Sequence, residues 1–150
     1  MNRETATAYL ALGSNMGDRA WNLQRACALL ESTDGIRIAS RSLIYASESV
    51  EDGGEGEFLN AVVRLETTLE PLQLLSVIHS VETQLGRPQP HAAGARSIDI
   101  DILLFGNLSM RTSELTLPHP RMLQRAFVLR PLCDVLRGGW VHPTDLRWND

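Results

Sequence analysis

Apolar and polar positions along the chain switch between two periods, and the switches divide it into elements. Residues 7–12 (TAYLAL) form a short apolar strand, stopped by Gly13-Ser14-Asn15. Asp18 can cap a helix, and beyond it Trp21, Leu23, Ala26, Leu29 and Leu30 fall near helical spacing up to the turn Thr33-Asp34-Gly35. Residues 36–47 (IRIASRSLIYAS) return to partial alternation and predict a strand. Residues 49–57 (SVEDGGEGE) are rich in glycine and acid, have no core residue beyond Val50, and predict a flexible surface loop. Residues 58–67 (FLNAVVRLET) are strand-like again. Pro71 opens a helix whose stripe is Leu74, Leu75, Ile78, Val81 and Leu85, with Gly86 as its stop. Residues 87–95 (RPQPHAAGA) form a second loop, the run RSIDIDILLFGN a further strand, and LTLPHPRMLQRAFVLRPLCDVL a loop passing into short helical turns.

The order strand–helix–strand–strand–helix–strand predicts an α+β fold of the ferredoxin-like, split βαβ kind (βαββαβ). Both helices should cover one face of an antiparallel sheet. At 150 residues, with no repeat or linker, residues 1–150 read as a single domain with a core of its own.

Composition narrows the chemistry. No apolar run approaches the ~20 residues of a membrane span, and the first residues, MNRETATAYLALGSN, have no apolar leader segment. Cys27 and Cys133 lack CxxC spacing or a neighbouring His and read as reduced thiols, which places the protein in the cytoplasm. A net charge of −4 and the absence of a basic tract argue against nucleic acid as a partner. All 14 basic residues are arginine. Without lysine there is no Walker-type phosphate loop, Schiff-base lysine or lysine general base. Any phosphate chemistry must rest on arginine and metal.

RSIDIDILLFGN supplies a candidate for the metal. Ile98, Ile100 and Ile102 should face the helices, which turns Asp99 and Asp101 to the opposite face, roughly 6–7 Å apart along the strand. Two like charges at that spacing raise each other's pKa unless a cation sits between them. Mg²⁺ is held by one or two carboxylates together with substrate phosphates, and this pair offers that donor set. The plainer alternative is a solvated strand face whose acids keep an edge soluble or pair with arginine.

Four blocks carry a resemblance: AYLALGSNMGDRAWNL, FLNAVVRLET, GARSIDIDILLFGN and LTLPHPRMLQRAFVL. In this order and spacing, over nearly the whole chain, they resemble the 6-hydroxymethyl-7,8-dihydropterin pyrophosphokinases. The resemblance implies a ferredoxin-like fold and transfer of the β,γ-pyrophosphoryl group of ATP to a reduced pterin, a step of folate synthesis. It implies that Asp99 and Asp101 bind two Mg²⁺ ions, and that the loop arginines Arg87 and Arg96 contact phosphates and help close the site. His79, Glu82, Ile102, Thr116, His119 and Arg125 resemble nucleotide-contacting residues. Ser47, Val50, Phe58, Asn60 and Phe127 resemble the pterin-contacting set, with Asn60 reading the polar edge of the ring and Phe127 stacking on it. The partners implied are ATP and a reduced pterin, bound by a monomer with no nucleic acid or membrane.

Each residue also has a plainer reading: Phe127 heads an apolar run and suits a core, and His119 between two prolines can stiffen a turn. Two loops depart from the family pattern. Ser49 stands where proline is usual, inside residues 48–57. The loop 88–95 offers only His91, and Gly94-Ala95-Arg96 replaces Gly-Pro-Arg. These departures spare the metal and pterin positions and soften the nucleotide clamp. They motivate one alternative, a paralogue acting on a different reduced pterin. Another is a non-catalytic ferredoxin-like binding module, which has no need of the aspartate pair.

Overall fold

A central strand, β1 (Ala6–Ser14), organises the antiparallel sheet by pairing with a neighbour on each side. The computed structural model describes residues 4–15, 17–48, 57–86, 97–122 and 126–136, leaving aside the side chains of residues 48, 57, 126 and 127. In chain order the elements after β1 are α1 (Arg19–Glu31), β2 (Ile36–Arg41), β3 (Tyr45–Glu48), β4 (Glu57–Thr67), α2 (Pro71–Gln84), β5 (Asp99–Phe105), β6 (Met110–Arg111), β7 (Thr116–Leu117) and α3 (Ala126–Val135). The sheet order is β2-β4-β1-β5, with β3 pairing β4 beyond the end of β2. This is the ferredoxin-like arrangement, and β6 and β7 form a separate two-stranded ribbon.

Alternation decides which residues meet the helices. Ala8, Leu10 and Leu12 of β1, Ala61, Val63 and Leu65 of β4, and Ile98, Ile100 and Ile102 pack with Leu23, Ala26, Leu30, Leu74, Ile78 and Val81 in one core. Burying each large aliphatic side chain there contributes about 1.5–3 kcal/mol before entropy is subtracted. Asp18 caps α1 by accepting from the Trp21 N–H (3.1 Å). Trp21 itself is 53% exposed; the stripe that reaches the core is Leu23, Ala26, Cys27 and Leu30, so Trp21 falls off the apolar face and Cys27 belongs to it. Pro71 opens α2, and Gly86 ends its C-terminal turn at φ +105°, a backbone conformation that favours glycine.

Three boundaries differ from those the sequence suggests. β1 runs on through Gly13 and Ser14, because Ser14 faces the core and its hydroxyl donates to the Ser97 carbonyl while accepting from Asn22 (3.1 Å). The single strand expected over 36–47 is two strands. At the break, Ser42 N–H donates to the Val62 carbonyl and Val62 N–H donates to the Ser42 hydroxyl, both at 2.8 Å, after which the Leu43 N–H turns to the Asp134 carboxylate (3.1 Å). The last segment is a ten-residue helix with Pro131 inside it. α3 lies on the sheet face opposite α1 and α2, where Val128, Leu132 and Val135 pack on Val62 and Leu103, flanked by Tyr9 and Ala11. α1 and α2 thus cover one face, as expected, and α3 adds a cover to the other. The expected loops at 49–57 and 87–95 lie outside the described residues apart from Glu57, which begins β4.

Candidate active site

The strand register lays out the site. Tyr45 pairs with Asn60, Asn60 with Gly13, and Gly13 with Asp99, a row straight across four strands. One step along, Asp101 pairs with Ala11 and Ala11 with Val62, which lies under α3. With Ile98, Ile100 and Ile102 in the helix-side core, Asp99 and Asp101 stand on the α3 face, Asp99 half-buried and Asp101 exposed. Two strand spacings separate Asp99 from Asn60, about 10 Å.

β5 changes phase just past the aspartates. Leu103 is left between the pairs Leu10–Ile102 and Tyr9–Leu104, a β-bulge. The extra residue returns Phe105 to the helix-side core and puts Leu103 with α3. It also turns the Leu103 carbonyl to the outer edge of the sheet, where it accepts from the His119 N–H (2.9 Å). The His119 Nδ1 accepts from the Arg121 N–H (3.1 Å), so the neutral ring carries its proton on Nε2. On the same edge Ile100 donates its N–H to Glu82 of α2 (2.9 Å), a carboxylate only 3% exposed. Outward-pointing groups alternate along a strand, so Ile102 presents its own N–H and C=O to this edge as well.

Along the edge runs a cleft of about 470 Å³, between α2 on one side and the β6–β7 ribbon on the other. That size falls in the range of small-molecule sites. His79, Glu82, Asp99, Asp101, Ile102, Thr116 and His119 all line it. The ribbon turn, closed by Thr112 N–H to the Leu115 carbonyl (2.9 Å), contributes residues 112–115. Both aspartates thus line the edge cleft, and Asp99 also belongs to the cross-strand row.

On the row, Asn60 is 6% exposed and its Nδ2 donates to the Ser47 hydroxyl (2.8 Å) and, at longer range, to the Tyr45 carbonyl (3.4 Å). A carbon on Gly13 in the Cβ position would stand 3.4 Å from Asn60 Oδ1 and 3.7 Å from Phe58 Cδ1. The missing side chain at Gly13 therefore leaves a flat step bordered by Asn60, Phe58 and Asp99.

All the expected nucleotide-contacting residues within the description line one cleft, and Ser47, Phe58 and Asn60 gather at one slot. Arg87, Arg96, Val50 and Arg125 lie outside the described residues, and so does the side chain of Phe127, which falls in the first turn of α3. Sequence reasoning missed Gly13, Tyr45 and Asp134. A glycine inside a strand marks a close approach and could have been read as one; Asp134, an acid in an apolar helix, gave a weaker signal.

The family model of 7,8-dihydro-6-hydroxymethylpterin-pyrophosphokinase (HPPK) matches residues 9–137. The 2-amino-4-hydroxy-6-hydroxymethyldihydropteridine pyrophosphokinase of Bacillus subtilis (strain 168) is 41% identical over 128 residues, covering 85% of this chain and 77% of the relative. The protein of the same description from Methylorubrum extorquens is 43% identical over 128 residues, covering 85% and 81%. Among solved structures, an HPPK-DHPS in complex with substrates superposes with a TM-score of 0.67 at 16% identity, over 90% of this chain. At that identity the likeness speaks for the fold alone, and this chain spans only 41% of that protein. Together the match across residues 9–137 and the identity to the two bacterial enzymes place the chain in the HPPK family, the ATP-dependent pyrophosphokinases that act on a hydroxymethyldihydropterin in folate biosynthesis.

Proposed function

We propose that the pyrophosphokinase reaction takes place where the edge cleft meets the cross-strand row, with ATP in the cleft and 6-hydroxymethyl-7,8-dihydropterin in the slot. The carrying observation is the position of Asp99 and Asp101, which line the cleft while Asp99 pairs with Gly13 of the slot. A pyrophosphoryl group leaving a nucleotide in the cleft for a hydroxyl in the slot must pass these carboxylates.

The residues divide the work. Ile102 offers its backbone N–H and C=O to the base, as a strand edge can for any planar partner. His79, Glu82, Thr116 and His119 line the same cleft, and His119 is suited to donate from Nε2 to an anionic oxygen. Asn60 presents its amide to the polar edge of the pterin, while Phe58 borders the ring. Positioning of two substrates in line is itself worth many orders of magnitude in rate. Arg87, Arg96 and Arg125 are assigned to phosphate contacts, Val50 to the pterin, and Phe127 to stacking on it, by the resemblance alone.

Asp99 and Asp101 form an all-oxygen donor pair, and among the described residues no further Asp, Glu, His or Cys completes a three-donor cage around them. That set fits Mg²⁺, which takes its remaining ligands from water and substrate phosphates. We assign two Mg²⁺ ions here, which when bound neutralise charge building on the transferred group. The two free thiols, Cys27 and Cys133, suit a reducing cytoplasm. Among the described residues no helix is long and apolar enough to cross a membrane.

The test is product identity. ATP, Mg²⁺ and 6-hydroxymethyl-7,8-dihydropterin should yield AMP and the pterin diphosphate; ADP would mean phosphoryl transfer and sink the reading. A panel of reduced pterins run in parallel checks the substrate, the hydroxymethyl compound being expected to have the highest kcat/KM.

A further inference from the structure

α3 buries a carboxylate at a place where an apolar residue would pack. Asp134 is 5% exposed, and its Oδ2 accepts from both the Leu43 N–H (3.1 Å) and the Tyr45 hydroxyl (2.7 Å). Both donors sit at the break between β2 and β3. The Arg130 guanidinium, one turn earlier on α3, lies 5.2 Å from the centre of the Tyr45 ring, within cation–π range. Burying an acid is costly, so such a network is retained where it fixes something specific.

What it fixes lies one hydrogen bond further on. The Tyr45 carbonyl and the Ser47 hydroxyl receive the Asn60 amide nitrogen. A carbonyl only accepts, so while β3 holds this height the Asn60 nitrogen must face β3 and its oxygen must face Gly13. The slot therefore meets a hydrogen-bond acceptor, which suits an N–H of a pterin pyrimidine edge and disfavours a ligand that places a lone pair there. Were β3 to drift, the amide could turn over and offer the opposite pattern.

We propose that Asp134 and Tyr45 are positioning residues for pterin recognition, locking the rotation of the Asn60 amide from α3 through β3. This rests on the assignment of Asn60 to the pterin slot. Neither residue touches the substrate; each acts through Asn60.

The experiment compares Tyr45→Phe, Asp134→Asn and Asn60→Ala in the full chain. Pterin and an unreactive ATP analogue are titrated by calorimetry, and kcat and KM are measured for both substrates. Tyr45→Phe should raise the pterin Kd and KM by about three- to tenfold, the scale of one indirect hydrogen bond, with analogue affinity within about twofold and kcat little changed. Combining Tyr45→Phe with Asp134→Asn should cost no more than the worse single change, since both act by one route. If Asn60→Ala weakens pterin binding while Tyr45→Phe leaves it within about twofold, or weakens both ligands alike, the positioning role is wrong and the slot stands. If Asn60→Ala itself leaves pterin binding unchanged, the slot assignment falls and takes this inference with it. Should Asp134→Asn not fold, Tyr45→Phe decides alone, since it removes a single oxygen.

Discussion

Gly13→Ala separates stability from recognition. Gly13 is a strand residue, and its φ is not in the left-handed region. The added methyl would meet Asn60 Oδ1 at 3.4 Å, Phe58 Cδ1 at 3.7 Å and the Leu59 carbonyl at 4.0 Å, all ordinary contacts. The free chain should accept it and gain about 0.5–1 kcal/mol, because alanine loses less backbone entropy than glycine on folding. For a domain of this size that is a rise of roughly 1–4 °C in Tm. The methyl stands about 1.5 Å proud of the backbone. A ring resting on the step must lift by that much, enough to stretch a hydrogen bond to Asn60 past its useful length. The expected loss is about 1–3 kcal/mol, or roughly 5- to 150-fold in pterin Kd. Thermal unfolding and calorimetric titration of pterin and of an ATP analogue on the same preparation make the assay. An unchanged pterin Kd with a raised Tm would show that the ring does not rest on Gly13, and equal loss of both ligands would show a general distortion.

Other outcomes follow from the same geometry. Asp99→Asn or Asp101→Asn should leave the fold intact and lower turnover by orders of magnitude, and near-normal rates in both would remove the two-metal assignment; circular dichroism and AMP release measure the two halves. Glu82→Ala strips the Ile100 N–H of its acceptor and should cost about 1–3 kcal/mol in urea unfolding, while Glu82→Gln, which keeps an oxygen, should recover most of it. Burial pushes the Cys27 thiol up to about 12, with Arg41 pulling it down and Glu31 adding to the rise. Below the unfolded thiol's pKa both states hold the proton and Cys27 is silent. Above it, near pH 9, only the unfolded chain releases the proton, so stability should fall by about 1.4 kcal/mol per pH unit until the folded thiol titrates near pH 12. Cys27→Ala should lower stability by a constant cavity cost and flatten that slope; parallel slopes for the two proteins in alkaline unfolding would refute the shift.

The parts of the fold that were legible are those fixed by local pattern. Ile98, Ile100 and Ile102 announce a strand with one apolar face, and that alone turns Asp99 and Asp101 toward the site. Asp18, Pro71 and Gly86 mark helix ends because their backbone demands are their own. What stayed hidden depends on distant partners. The break between β2 and β3 is made by Ser42 with Val62 and by Asp134, 91 positions from Leu43. The bulge at Leu103 is visible only as a register with β1. α3 was obscured by Pro131, which as a local signal breaks a helix. At the site, residue types with chemistry of their own (Asp99, Asp101, Asn60, His119) stood out, whereas Gly13 acts by lacking a side chain and Tyr45 through its carbonyl.

The outer edge of β5 also bears on solubility. The outer edge of a strand reading DIDILLF is a template on which a second chain could add a strand, and proteins normally blunt such edges. On the proposed function the backbone cannot simply be covered, since a ligand would have to enter the cleft. The edge is guarded piecemeal: the Ile100 N–H is taken by Glu82, the Leu103 carbonyl by His119, and the bulge bends the strand out of register with any straight partner. Asp99 and Asp101 add charge to the rest, so an incoming strand would meet two carboxylates and a broken ladder. The acids proposed above to serve the nucleotide would thus also keep newly made, substrate-free chains from sticking edge to edge.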